Sequence, residues 1–104
     1  MVFEKVTVMK AANIYYEGKV QSRTILLADG SRKTLGVYLP GEYEFSSQEK
    51  EVVEMTRGEV EVLFPGDRGW SRVRAGESYT AEPGRVFKVR CREIAEYVCD
   101  YIAG

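Results

Sequence analysis

Turn-forming residues recur along this chain at intervals that leave little room for helices. They are Glu17-Gly18, Asp29-Gly30, Pro40-Gly41, Gly58, the loop Pro65-Gly66-Asp67-Arg68-Gly69, Ala75-Gly76 and Pro83-Gly84. Most of the segments between them run roughly 7–12 residues, the spacing of a chain of short strands. Asp29-Gly30 is the strongest of these signals, because both residues tolerate positive φ. Residues 1–10 alternate apolar with charged and read as an edge strand, with Ala11-Ala12-Asn13 as a break. Residues 19–28 and 32–39 follow as strands, the former rich in β-branched side chains. About eight or more such strands predict an all-β sandwich or closed barrel in a single domain.

The stretch 41–58, GEYEFSSQEKEVVEMTRG, organises the centre of the chain. It opens on a turn, extends through Tyr43 and Phe45, passes the acidic Glu49, Glu51 and Glu54, and closes on Met55 and Gly58. Turn, strand, polar link, strand, turn reads as one hairpin. Beyond it, Val60, Val62 and Phe64 share a face. Residues 70–74 and 77–82 are short strands. The clearest alternation lies at 86–92, with Phe87, Val89 and Cys91 inward and Lys88, Arg90 and Arg92 outward. The tail is ambiguous. Ile94, Tyr97, Val98, Tyr101 and Ile102 fit a helical stripe, while Tyr97, Cys99 and Tyr101 fit one face of a strand.

Fifteen Lys and Arg stand against sixteen Asp and Glu, a net charge of −1, so no global field argues for nucleic acid. No apolar run approaches the ~20 residues of a membrane span. The alternating start reads as strand and not as a signal peptide. Two cysteines, Cys91 and Cys99, read as buried reduced thiols. These features predict the cytoplasm. The chain contains no histidine, which removes His-based triads, His general bases and His-ligated metals.

Several segments taken in order resemble a known family. They are YYEGKV at 15–20, the R-x-T-x-GV segment at 32–37, GEYEFSS at 41–47, Gly58, Trp70, and Pro83-Gly84 followed by Phe87. Together they resemble the small cupin-fold pyrimidine/purine nucleoside phosphorylases, from Tyr15 to Ile102, with 1–12 an N-terminal strand outside the resemblance. Glu51 stands seven residues before Gly58, as in the first cupin motif. Phe45 and Ser47 occupy the places where metal cupins carry two histidines, and an aromatic replaces the last histidine of the second motif. The resemblance implies a single-domain cupin-like β-barrel and makes the tail 97–102 a strand. It also implies a homodimer and metal-independent phosphorolysis of purine and pyrimidine nucleosides. The products are free base and α-D-ribose 1-phosphate. No cofactor is implied, phosphate being a co-substrate. Residues 23–29, RTILLAD, are more apolar than the family's commoner pattern.

Phosphorolysis needs an oxyanion clamp, acceptors for the ribose hydroxyls and an apolar wall for the base. Arg32 and Thr34 lie two apart on one strand and share a side. With Lys19 as a third donor they form a candidate phosphate clamp. The same pair is also an ordinary exposed strand face. Glu42, Glu49 and Glu51 are candidate partners for the ribose, with Glu49 and Lys50 also readable as a solvated loop. Tyr43, Phe45, Phe87 and Tyr97 are the aromatic candidates, each also readable as core. Tyr97 is placed to donate to a ring nitrogen as the base leaves. Arg32, Glu51 and Tyr97 form the candidate catalytic set. Trp70 reads as a structural cover. The competing reading is a non-catalytic cupin-like module that binds a sugar or nucleotide.

Overall fold

The computed structural model describes residues 2–102. Met1 and Gly104, where the expected first strand begins and the tail ends, lie outside them. Among these residues, ten antiparallel strands form two facing sheets. They are β1 (Thr7–Tyr15), β2 (Val20–Leu26), β3 (Arg32–Tyr38), β4 (Gly41–Ser46), β5 (Lys50–Arg57), β6 (Glu59–Leu63), β7 (Ser71–Arg74), β8 (Ser78–Ala81), β9 (Val86–Cys91) and β10 (Ala95–Ile102). One sheet has the order β1-β2-β3-β10-β5-β8 and the other β4-β9-β6-β7. The architecture is the expected all-β one, built as two sheets that are not closed into one continuous barrel.

Alternation decides the layers. In the larger sheet Val20, Ser22, Thr34, Gly36, Tyr38, Val53, Met55, Tyr79, Ala81, Ala95, Tyr97 and Cys99 turn inward. Tyr43, Val60, Val62, Val73, Phe87, Val89 and Cys91 meet them from the smaller sheet. Val53, Met55, Val60, Val62 and Val89 are at most 2% exposed. Fully burying an aliphatic side chain contributes about 1.5–3 kcal/mol, so this layer supplies most of the driving force that holds the sheets together. Both cysteines are free and buried, as expected.

The stretch 41–58 is not one hairpin. Its halves, β4 and β5, belong to different sheets: β4 pairs with β9, whereas β5 lies between β10 and β8. Residues 47–49 carry the chain across. The Ser47 hydroxyl accepts the Glu49 N–H at 3.1 Å, and the Ser47 carbonyl accepts the Gly84 N–H at 2.8 Å. A side-chain turn of this kind lets a short polar link reverse direction without a hairpin. The chain crosses back at Gly58, whose φ of +73° favours glycine. There, a Cβ would fall 2.9 Å from the Ile94 carbonyl oxygen.

The expected break at Ala11–Asn13 is likewise absent. β1 continues through it, with its register against β2 shifted between Val8 and Ala12. The irregularity is a bulge-like slip that keeps Asn13 opposite Ser22. The tail is strand, paired on both sides by β3 and β5. Two ladders of neighbours outweigh its helical stripe.

Candidate functional site

Cross-strand pairing sorts the inward side chains of the larger sheet into rows. Asn13, Ser22, Gly36, Tyr97 and Met55 make one row. Thr24, Thr34, Cys99, Val53 and Tyr79 make the next. Tyr101, Glu51 and Ala81 make the third, at the open end of the sheet. Successive rows are about 7 Å apart, two residues along a strand.

These rows enclose a cavity of about 120 Å³, capped from the smaller sheet by Phe45 and Phe87. Its wall combines Ser22, Thr34, Glu51 and Cys99 with the phenols Tyr38, Tyr79, Tyr97 and Tyr101. The polar atoms are internally organised. Tyr38 and Tyr79 share a hydrogen bond at 3.0 Å, and Thr34 and Tyr101 share one at 3.3 Å. The Cys99 thiol donates to the Glu51 carboxylate at 3.6 Å. Burial pushes the Cys99 pKa up to about 12, and the Glu51 charge adds to the shift. Burial also raises the Tyr38, Tyr79, Tyr97 and Tyr101 phenols well above their ordinary range. At neutral pH the cavity therefore presents neutral hydroxyls and a thiol around one carboxyl group.

Arg32 stands at the mouth. It shares the inward side of β3 with Thr34, but at the strand's end. Its Cζ lies 4.1 Å from the centre of the Tyr101 ring, and its Nη2 bonds Glu49 Oε1 at 2.6 Å. Hydrogen bonding to Glu49 raises its pKa further, so the guanidinium stays charged. Among the sequence-predicted residues, the structure thus gathers Thr34, Phe45, Glu51, Phe87 and Tyr97 around the cavity, with Arg32 at its rim. The others lie elsewhere. Lys19 is exposed and outside the lining, and Glu42 is exposed on the outer side of β4 opposite Arg90. Tyr43 is core: its hydroxyl donates to the Leu39 carbonyl at 2.6 Å, and its ring packs 5.1 Å from that of Tyr16.

Sequence reasoning missed Ser22, Tyr38, Tyr79, Cys99 and Tyr101 as site residues, and Asn13, which bonds Ser22 from the edge strand. Tyr38 was within reach, because it shares Arg32's parity on β3. Tyr101 and Cys99 share that of Tyr97 on β10. Asn13 and Ser22 carried no signal, since their role depends on a pairing between strands.

A larger depression, about 580 Å³, lies on the outer face of the smaller sheet among Glu59, Glu61, Arg72, Arg74, Arg90 and Glu93. Its charges answer one another across the ladder. Glu42 and Glu61 flank Arg90, Glu61 faces Arg72, and Glu59 faces Arg74. Arg90 bonds Glu61 at 3.0 Å and covers the Trp70 ring at 3.9 Å, and Arg72 bonds Glu59 at 3.2 Å. Opposite charges directly across a sheet stabilise the pairing, which gives this surface a structural role. Among the described residues, no group of three or more His, Cys, Asp or Glu is placed to hold a metal ion. No helix among them is long and apolar enough to cross a membrane.

Comparison with known proteins identifies the fold and the family. A cupin-2 domain protein from Shewanella frigidimarina superposes with a TM-score of 0.63 at 20% identity, covering 75% of this chain and 76% of its own, which shows the cupin-like fold. A protein of unknown function from Acinetobacter superposes with a TM-score of 0.93 at 34% identity, covering 97% of this chain and 98% of its own. The pyrimidine/purine nucleoside phosphorylase of Hydrogenovibrio crunogenus is 53% identical over 100 residues, 96% of each chain. The model of that family matches residues 10–101. The chain therefore belongs to the pyrimidine/purine nucleoside phosphorylase family.

Proposed function

We propose that the protein catalyses metal-independent phosphorolysis of purine and pyrimidine nucleosides in the cytoplasm, giving free base and α-D-ribose 1-phosphate. The observation that carries this reading is the juxtaposition at one opening of a fixed guanidinium, Arg32, with a cavity walled by rings, hydroxyls and one carboxyl group. Phosphate at the mouth would bond Arg32 and the Thr34 hydroxyl. Glu51 would accept hydrogen bonds from the ribose. Phe45 and Phe87 would flank the base, and Tyr97 would donate to it. A cavity of 120 Å³ is smaller than the ~300–1,000 Å³ usual for a fully enclosed ligand. The base would therefore enter while sugar and phosphate remain at the mouth.

In this reading a phosphate oxygen attacks the anomeric carbon on the face opposite the base. The glycosidic electrons leave with the base, and the proton carried by the phosphate dianion ends on it. Charge that develops on the base is met by prepositioned neutral donors, and charge on phosphate by Arg32. The chemistry draws on no imidazole, and the donor set suits an oxyanion better than a cation.

The test is to incubate the protein with inosine or uridine, with and without phosphate. Release of base together with ribose 1-phosphate, only when phosphate is present, supports the reading. Release of no base from any common nucleoside favours a ligand-binding module. The proposal includes a homodimer. β1 is an edge strand that exposes Val8, Met9, Ile14 and Tyr15, and a second copy would cover it. Light scattering gives the mass directly, and a monomer at working concentration would remove this element.

A further inference from the structure

We propose that Tyr101 is a positioning residue for phosphate: its ring braces Arg32, its hydroxyl braces Thr34, and one side chain thereby holds the two halves of the clamp in register. The proposal rests on the phosphorolysis reading and deepens it.

The backbone leaves a seam at the mouth. β3 and β10 are paired as far as Lys33 and Asp100, the outermost pair of their ladder. Arg32 and Tyr101 are the next residues outward, one on each strand. Each is tied on its far side, Arg32 to Leu26 of β2 and Tyr101 to Glu51 of β5. On the inner side of the seam the two strands meet through side chains. The Arg32 Cζ lies 4.1 Å from the centre of the Tyr101 ring, well inside the ~6 Å range of an attractive cation–ring contact. The Tyr101 hydroxyl shares a hydrogen bond with Thr34 Oγ1 at 3.3 Å.

Exposure falls in the same order along this path. The Arg32 side chain is 43% exposed, Tyr101 is half-buried and Thr34 is 5% exposed. The phenol therefore reaches from the rim of the cavity to its wall, over the ~7 Å that separates two residues along a strand. The strand by itself does not fix either donor. An arginine side chain can sweep through many rotamers, and a planar ring beneath the guanidinium confines it to one plane. A threonine hydroxyl rotates to suit its surroundings, and the bond to Tyr101 fixes that rotor whichever oxygen donates. Donors ordered before phosphate arrives need not be ordered by it, which favours binding.

The two functions of Tyr101 separate by substitution. Tyr101→Phe keeps the ring and removes the hydroxyl, and Tyr101→Leu removes both. With phosphate and inosine varied in turn, Tyr101→Phe should raise the phosphate KM about two- to tenfold. Tyr101→Leu should raise it about two- to fivefold more. The inosine KM should stay unchanged in both. Double substitutions identify the partners. In a Thr34→Val background Tyr101→Phe should add nothing, and in an Arg32→Ala background Tyr101→Leu should cost no more than Tyr101→Phe. If Tyr101→Leu melts far below the wild type, pentafluorophenylalanine in place of Tyr101 takes over its role, since it keeps the ring's shape and removes its negative face. An unchanged phosphate KM, equal rises in both KM values, or additive effects in either background would overturn the bracing role while leaving phosphorolysis standing. A wild-type protein that releases no base overturns both.

Discussion

The Arg32 guanidinium rests on the face of the Tyr101 ring, 4.1 Å from its centre, while one nitrogen holds Glu49 at 2.6 Å. Ring stacking fixes the plane of the guanidinium, and the remaining N–H groups keep a forked geometry suited to an oxyanion. Replacing Arg32 by Ala should raise the phosphate KM about 10- to 100-fold, the worth of a charge-assisted hydrogen bond. The nucleoside KM should move far less. Steady-state kinetics with each substrate varied in turn measure the split, and equal effects on both would remove Arg32 from the phosphate role.

Glu49 occupies the place where an anion would approach Arg32. The pair is open to solvent, with side chains 43% and 50% exposed, and exposed ion pairs contribute only ~0–1 kcal/mol. Phosphate can displace such a partner. Glu49→Gln should therefore lower the phosphate KM, by at most about fivefold, with little change in melting temperature. A raised phosphate KM would mean that Glu49 orients Arg32 instead of competing for it.

Gly36→Ala would place a methyl group inside the Tyr97 ring. The ring must swing away, at the ~1–3 kcal/mol typical of overpacking. Denaturant melts should show a loss of that size, and activity should fall by more than the same loss of stability causes at a remote core position such as Val62. A fully active, fully stable Gly36→Ala protein would contradict the placement of Tyr97.

The buried phenols and Cys99 also set the alkaline limit. Each has a pKa raised by folding, so each favours the folded protein fully below its unfolded pKa and loses that contribution as pH rises above it. For Cys99 the window runs from 9.0 to about 12. Tyr38, Tyr79, Tyr97 and Tyr101 begin to act above 10.0. Stability should be flat through neutral pH and fall steadily above about pH 9. Tyrosinate absorbance from these four should appear with unfolding and not before it. Free titration of them in the folded protein would contradict their burial.

Much of the fold was legible because the turn residues punctuate the chain and the strands between them alternate. Phe87, Val89 and Cys91 all lie inward as their period requires. Local pattern could not assign partners. β4 and β5 look like a hairpin until Tyr43 is found opposite Val89 and Val53 opposite Cys99. The same limit governs the site. Arg32 and Thr34 share a side by parity alone, and Glu51 follows from its distance to Gly58. Glu42 has the right chemistry, but its side chain faces out, opposite Arg90. Ser22 lines the cavity, and Asn13 stands behind it only through pairing between β1 and β2.

The central claim is that an oxyanion occupies the mouth between Arg32 and Thr34. A crystal structure of the protein soaked in phosphate tests it most directly. The account predicts phosphate oxygens within hydrogen-bonding distance of the Arg32 guanidinium and Thr34 Oγ1, with Glu49 displaced. Phosphate bound only along Arg72 and Arg74 on the outer sheet, with the Arg32–Glu49 pair intact, would contradict it.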